Sequence, residues 1–443
     1  MFVRLDFVML LHNVFKHARY KPDFHREFVT SKTKSSHSYG LEICRLMVTS
    51  CYWTILTSHY KFPRDRVSRG IVLENFLREC NLGLKSMRRI LTVTTDNNYY
   101  AIDINQHHRA QVRTWLYVVC FLIFVIVIVG GATRLTDSGL SITEWKPLLG
   151  AIPPLNASDW QIAFEKYRLI PEYKLINKGM SLEEFKFIYW WEWGHRFLGR
   201  LIGLVVFFPL VFFWIKGRLE SWIKPHLLVL FVLGGLQGFI GWWMVSSGLV
   251  ERVDVSQYRL AAHLTLACII FAYTMWLARS LVEHSNEPIT SKLAIFSPII
   301  VFAVLFQIFL GALVAGLDAG LSYTDWPTMG GEILPSDLWI QTPFWINAFE
   351  NPKTVQFIHR MSAYALLLLV FVQMFDALKS NVGGTHKRRT IVLMVLTLAQ
   401  AAIGVITLVL QVPLNWGLYH QGGAIIVLGF AIVHWRAVKF AGE

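Results

Sequence analysis

From Arg113 onward the chain alternates long apolar runs with short polar stretches. Eight runs stand out, at roughly 115–133, 195–215, 226–245, 261–281, 294–315, 358–378, 390–410 and 419–438. Each is near the ~20 residues that an α-helix needs to cross a bilayer. Aromatic residues gather at the ends of the runs, as they do in interfacial belts. The text also repeats. "DSGLSITEW" (137–145) returns as "DAGLSYTDW" (318–326), each just after an odd-numbered run, and "GHR" at 194–196 returns as "IHR" at 358–360. "LQGFIG" (236–241) returns weakly as "AQAAIG" (399–404), and "AAHLTLA" (261–267) as "LYHQGGA" (418–424). A repeat of this length is the mark of a membrane fold built from duplicated units. The pattern predicts an all-α polytopic membrane protein with eight transmembrane helices as two four-helix bundles in parallel orientation, 113–285 and 286–443.

Residues 1–112 hold no run long enough to span. "VMLLHNVF" and "LMVTSCYWTIL" are too short and too broken. Asp6, Asp23 and Glu27 argue against a transit peptide, which is poor in acids. The segment is read as a poorly structured basic cytoplasmic extension, or as a start assigned too far upstream. The loops after runs 2, 6 and 8 carry Lys216, Arg218 and Lys224, then Lys379, Lys387, Arg388 and Arg389, then Arg436 and Lys439; the loop after run 7 has none. Positive charge marks the inner side. Both termini are therefore expected in the cytoplasm or matrix, and the long loops 134–194 and 316–357 on the outer side.

Composition agrees with a membrane protein. The chain is 54% hydrophobic and 16% charged, with 17 Trp and 31 Phe among 443 residues, too apolar for an ordinary soluble domain. The net charge of +13 suggests nucleic acid at first sight. Its concentration in residues 1–112 and in short loops indicates orientation in a lipid bilayer instead, and no nucleic-acid partner is expected. Cys44, Cys51, Cys80, Cys120 and Cys268 form no CxxC or CxxCH, which excludes thioether haem attachment and a zinc framework.

Candidate chemistry lies in four histidines. His195, His263, His359 and His420 each stand at the beginning of an even-numbered run, at the expected outer ends. An interfacial His bonded to backbone or water is the plain explanation of any one. Four at matched positions of two copies suit two axial pairs, each pair holding one haem iron. The residue four further on is small in every case: Gly199, Ala267, Ala363 and Ala424. It lies on the same helix face and leaves room for a porphyrin, although small residues also serve helix packing. Arg196 and Arg360 follow a His in both copies. They suit haem propionates, or anchor the helix end as snorkelling cations. Glu192 lies one turn before His195, and the matching residue in the second copy is Gln356, which cannot ionise. The asymmetry suggests proton-coupled chemistry in the first pocket and a resident haem in the second, against the alternative of a surface pair between Glu192 and Arg196.

With these residues the sequence resembles the haem A synthase family, the membrane enzymes that convert haem O to haem A for cytochrome oxidase. The likeness rests on "GGATRLTDSGLSITEWKP" (130–147), "FKFIYWWEWGHRFLGRLIG" (185–203), "RLAAHL" (259–264), "QFIHRMSAY" (356–364) and "GLYHQGGA" (417–424). It covers about 113 to 440. The resemblance implies two pseudo-symmetric bundles related by a pseudo-two-fold axis. It implies haem b held by His359 and His420, and substrate haem O near His195 and His263 with Glu192 as the acidic residue implicated in catalysis. The reaction implied is oxidation of one haem O methyl to formyl, with haem O synthase (protohaem farnesyltransferase) as the expected partner and the electron acceptor unidentified. One branch of the family carries cysteine pairs in its outer loops. This chain has none there and resembles the cysteine-free branch, which implies a bacterial inner membrane or, alternatively, a mitochondrial one. A bis-haem b electron-transfer protein would share the four His without needing Glu192. A repeat-built transporter would leave the small residues unexplained.

Overall fold

The computed structural model describes residues 105–146, 149–282 and 286–442, all within the compact unit Tyr99–Glu443. Among these residues eight helices are long and apolar enough to cross a membrane: α1 (Asn105–Leu135), α2 (Leu182–Ile215), α3 (Ile223–Ser246), α4 (Gln257–Ser280), α5 (Ser291–Gly316), α6 (Pro352–Lys379), α7 (Gly384–Val409) and α8 (Leu414–Gly442). Every run in the sequence is one of these helices. The boundary drawn at 112 falls inside α1. Residues 105–112 form its first two turns, where Val112 is buried and Arg109 pairs with Glu220 at 2.5 Å. The rest of the proposed extension, 1–104, lies outside the described residues.

The helices sort into inner and outer sets. Half of the most apolar window of α8 is buried and 44% of those of α1 and α5, against 6% for α3 and 11% for α2. So α1, α4, α5 and α8 form the centre, and α2, α3, α6 and α7 turn apolar faces outward, as lipid-facing helices do. In the second half α5 packs on α6, α6 on α7, α7 on α8 and α8 back on α5. In the first half α2 packs on α3 and α3 on α4. Trp115 of α1 donates to the Val205 carbonyl of α2 (2.8 Å). The halves meet where α4 packs on α5 and α8. One apolar core runs through all this, from Leu116 and Ile123 through Cys268 and Phe271 to Ile300, Leu393 and Leu428. Lipid is as apolar as Leu, so dispersion and close backbone approach hold such helices together. At Gly131 there is no room for a side chain beside Gln421, whose amide donates to the Val127 carbonyl (2.9 Å).

Caps set the helix starts, and they move the histidines. Ser181 and Glu184 form a capping box at the start of α2, the reciprocal bonding that fixes a helix N-terminus. Asn351 caps α6 with Pro352 in its first turn. The helices therefore begin well before the apolar runs. His195 stands more than three turns into α2, and His263, His359 and His420 about two turns into α4, α6 and α8. The expectation that all four begin their helices is corrected: the polar first turns are helical too, with side-chain caps at the starts of α2 and α6 lying beyond the apolar runs.

The two long interhelical loops carry short helices, Ala157–Tyr167 and Pro171–Leu175 in the first and Asn347–Glu350 in the second. Both open with the repeated Asp motif in matching shape. Asp137 and Asp318 have φ of 47° and 49°, a left-handed conformation that Asp tolerates better than most residues. Arg134 bonds Asp137 (3.0 Å) and Asp318 (2.8 Å), tying the two loops together.

Candidate functional site

Each of the four histidines meets a glycine on a neighbouring helix. A Cβ on Gly130 of α1 would stand 3.0 Å from the His195 ring, and one on Gly241 of α3 2.9 Å from His263. One on Gly311 of α5 would stand 3.2 Å from His359, and one on Gly404 of α7 2.7 Å from His420. The rings thus lie against bare backbone, in space that a side chain would fill.

In the second half His359 and His420 come together. Their ring centres are 6.4 Å apart with planes at 79°. With metal–nitrogen bonds of about 2 Å on either side, two imidazoles sharing one metal have ring centres roughly 6 Å apart. The pair therefore fits a bis-imidazole metal site. Among the described residues His195 and His263 make no such ring contact.

Three histidines share a partner that the sequence reading missed. Gln237 of α3 places its Nε2 3.1 Å from His263 Nδ1 and donates to the His263 carbonyl (3.0 Å). Gln307 of α5 does the same to His359 (3.0 and 3.0 Å), and Gln400 of α7 to His420 (3.1 and 2.7 Å). Each Gln sits four residues before the glycine that faces the same ring. The spacing was visible as "QGFIG", "QIFLG" and "QAAIG" at 237–241, 307–311 and 400–404. The fourth site reads "IVIVG" at 126–130, with Ile126 in the glutamine's place.

Glu192 is 2% exposed and accepts four hydrogen bonds. Ser141 Oγ and the Ile142 amide donate to Oε2 at 2.7 Å each, and Arg196 Nε and Nη2 donate to Oε1 at 3.0 and 2.6 Å. At the matching place Gln356 donates to the Tyr323 carbonyl (2.9 Å). The polarity is inverted: the first pocket receives donors from its loop where the second supplies one. Both arginines brace the loop in the same way. Arg196 donates to the Ile142 and Glu144 carbonyls (2.8 and 3.2 Å), and Arg360 to those of Tyr323 and Asp325 (3.1 Å each). Loop bracing is a use of these side chains that the sequence did not indicate. Arg360 Nε remains buried with no hydrogen-bond partner. Beside Arg196 lies a small open cleft lined by Trp145, Trp242, Val245 and Leu249.

The two long interhelical loops hold further titrating groups. Glu172 is 5% exposed beside Tyr167, with Oε2 unpartnered. Burial pushes its carboxyl up to about 8, reinforced by the charge of Glu192. The Thr328 hydroxyl and the Gly330 and Gly331 amides hold the Asp325 carboxyl well below the usual carboxylate range.

Eight crossing helices and four glycine-backed histidines in two matched halves define a polytopic membrane protein built around buried imidazole sites. The family of cytochrome oxidase assembly proteins described as COX15-CtaA matches residues 113–432. A heme A synthase of Sinorhizobium fredii is 58% identical over 343 residues, 77% of this chain and 93% of that protein. One of Brucella anthropi is 58% identical over 335 residues (76% and 94%), and one of Rhizobium meliloti 57% over 336 (76% and 92%). The chain belongs to the haem A synthase family.

Proposed function

We propose that this protein is a haem A synthase, an oxidoreductase that turns one methyl of haem O into a formyl group. The observation that carries the reading is the pairing of an iron-compatible site, His359 and His420 at 6.4 Å, with a matched site that differs in holding the Glu192 carboxylate where the second holds an amide. The second half, 286–443, is the resident haem b domain and the first, 113–285, the substrate domain, about a pseudo-two-fold axis. Haem b bound between His359 and His420 supplies an electron relay, which no side chain offers. His195 and His263 hold haem O. Glu192, anchored by Ser141 and Arg196, accepts protons or stabilises positive charge that builds on the methyl. Arg360 Nε is the free donor for a propionate, and Arg196 orients Glu192. The membrane is the bacterial inner membrane, with both termini cytoplasmic and haem O delivered by haem O synthase.

The test is expression in a strain lacking its own haem A synthase, followed by extraction and chromatography of the haem. Haem A is expected. Haem B alone would make the protein a bis-haem b electron carrier, and no haem at all would refute both.

A further inference from the structure

Three of the four histidines are latched by a glutamine, and the fourth is not. An imidazole that binds metal through Nε2 carries its proton on Nδ1, and the group bonded to Nδ1 sets the ring's orientation. In His263, His359 and His420 a glutamine amide sits on Nδ1 at 3.0–3.1 Å. The Oε1 atoms of Gln237, Gln307 and Gln400 are all buried and unpartnered. A half-turn of the amide would offer each of them to an Nδ1–H, so the latch holds the ring in either tautomer.

His195 has Ile126 in that place. Ile126 faces the same turn of α2, its Cδ1 3.6 Å from where a Cβ on Gly199 would be. An alkyl chain makes no hydrogen bond, and His195 makes none among the described residues. Its ring is also turned over. The three latched rings press the Cε1 and Nδ1 edge on their glycine, whereas His195 presses Nε2 on Gly130. A half-turn about Cβ–Cγ exchanges these edges. At His263 and His359 the same glutamine nitrogen also stands 3.5 and 3.3 Å from the ring Nε2, so the amide engages the imidazole edge at three sites, and among the described residues no hydrogen-bonding side chain does so at the fourth.

We infer that Gln237, Gln307 and Gln400 are positioning residues for their imidazoles, and that His195 is the exchangeable ligand of the substrate haem. The inference rests on the reading that His195 and His263 hold haem O. It separates two tasks. A resident haem needs two fixed ligands. A substrate haem has to arrive, react and leave, and a freely turning His195 gives up its iron–nitrogen bond as a neutral imidazole, with no proton or electron transferred.

The experiment uses carbon monoxide on the dithionite-reduced holoprotein purified from membranes, with haem O and haem B content measured on the same sample. In the wild type, carbon monoxide is expected to bind the haem O population and not the haem b. Ile126→Gln should keep the haem content and weaken carbon monoxide binding by about tenfold or more, the usual scale of such supporting contacts. Gln307→Ile should make haem b reactive to carbon monoxide. Unchanged carbon monoxide binding in a haem-loaded Ile126→Gln overturns the inference and leaves the haem sites standing. If Ile126→Gln fails to accumulate, Gln307→Ile decides, and a haem b still inert to carbon monoxide there overturns the latch. A wild type that purifies without haem O overturns the parent reading and this one together.

Discussion

Replacing Glu192 with Gln tests the asymmetry on which the proposed chemistry depends. The change keeps shape and removes charge, so the first copy acquires the residue type of the second. Its structural cost follows from the four donors. Oε1 faces two N–H groups of Arg196, and Oε2 faces the Ile142 amide and the Ser141 hydroxyl. The new amide has one oxygen. If its NH2 faces Arg196, donors oppose donors. If it faces the loop, Ser141 rotates to accept but the Ile142 amide loses its partner. One unsatisfied buried donor costs about 1–3 kcal/mol. That loosens the loop locally, because Arg196 keeps its bonds to the Ile142 and Glu144 carbonyls, and it leaves the helices in place. Loss of a positioned acid or base lowers a rate by about 100- to 10,000-fold, far beyond what a loosened loop explains.

The assay is haem A yield per unit of membrane-inserted protein in cells with no other haem A synthase, with haem b measured alongside. Expected are full haem b and haem A reduced about 100-fold or more. Ser141→Ala is the control. It removes one of the four bonds but not the charge, and it should keep most of the haem A. Wild-type haem A from Glu192→Gln refutes the role in chemistry. Equal losses from Glu192→Gln and Ser141→Ala refute it too, since Glu192 would then only brace the loop.

Three further outcomes are expected. His359→Ala or His420→Ala removes the low-spin b-type spectrum of the purified protein, since each takes one of two ligands; a normal spectrum in either variant would show that the pairing is wrong. Glu172 should make the first long interhelical loop pH-sensitive. Its folded value near 8 lies above its ordinary 4.5, so its stabilisation is complete below 4.5 and is lost as pH rises toward 8. Tryptophan-monitored thermal unfolding should fall across that window in the wild type and stay flatter in Glu172→Gln; identical profiles would place no titration at this carboxyl. A chain beginning at Asn105 keeps all of α1 and the Arg109–Glu220 pair, and it should insert and make haem A as the full chain does. If it accumulates yet makes none, residues 1–104 serve the chemistry.

The architecture was legible because hydropathy alone decides which segments cross a bilayer. All eight runs became helices, and the four histidines were marked by repetition. What hydropathy does not encode is where a helix begins. The capping box at Ser181 and Glu184 adds over three turns before His195, and those turns are rich in Trp and Glu, so they read as loop. Tertiary partners were harder still. That Arg196 and Arg360 also brace their loops was not visible, because the carbonyls that engage them lie some 32 to 54 residues away in sequence. The glutamines are a different case. Their spacing to glycine was printed three times in the text, but a glutamine in an apolar run reads as a polar interruption until the ring across the helix interface is seen. The informative symbol was then an isoleucine. Ile126 is unremarkable in a membrane helix and becomes a signal only when aligned with three glutamines that face the same kind of ring. A duplicated fold therefore offers a comparison within one chain. Where both copies agree, as at Gly130 and Gly311 facing His195 and His359, or at Arg196 and Arg360 bracing their loops, the shared residue has the same local partner in each half. Where they part, at Glu192 against Gln356 and at Ile126 against Gln307, the difference is what the proposed division of labour between the two sites rests on.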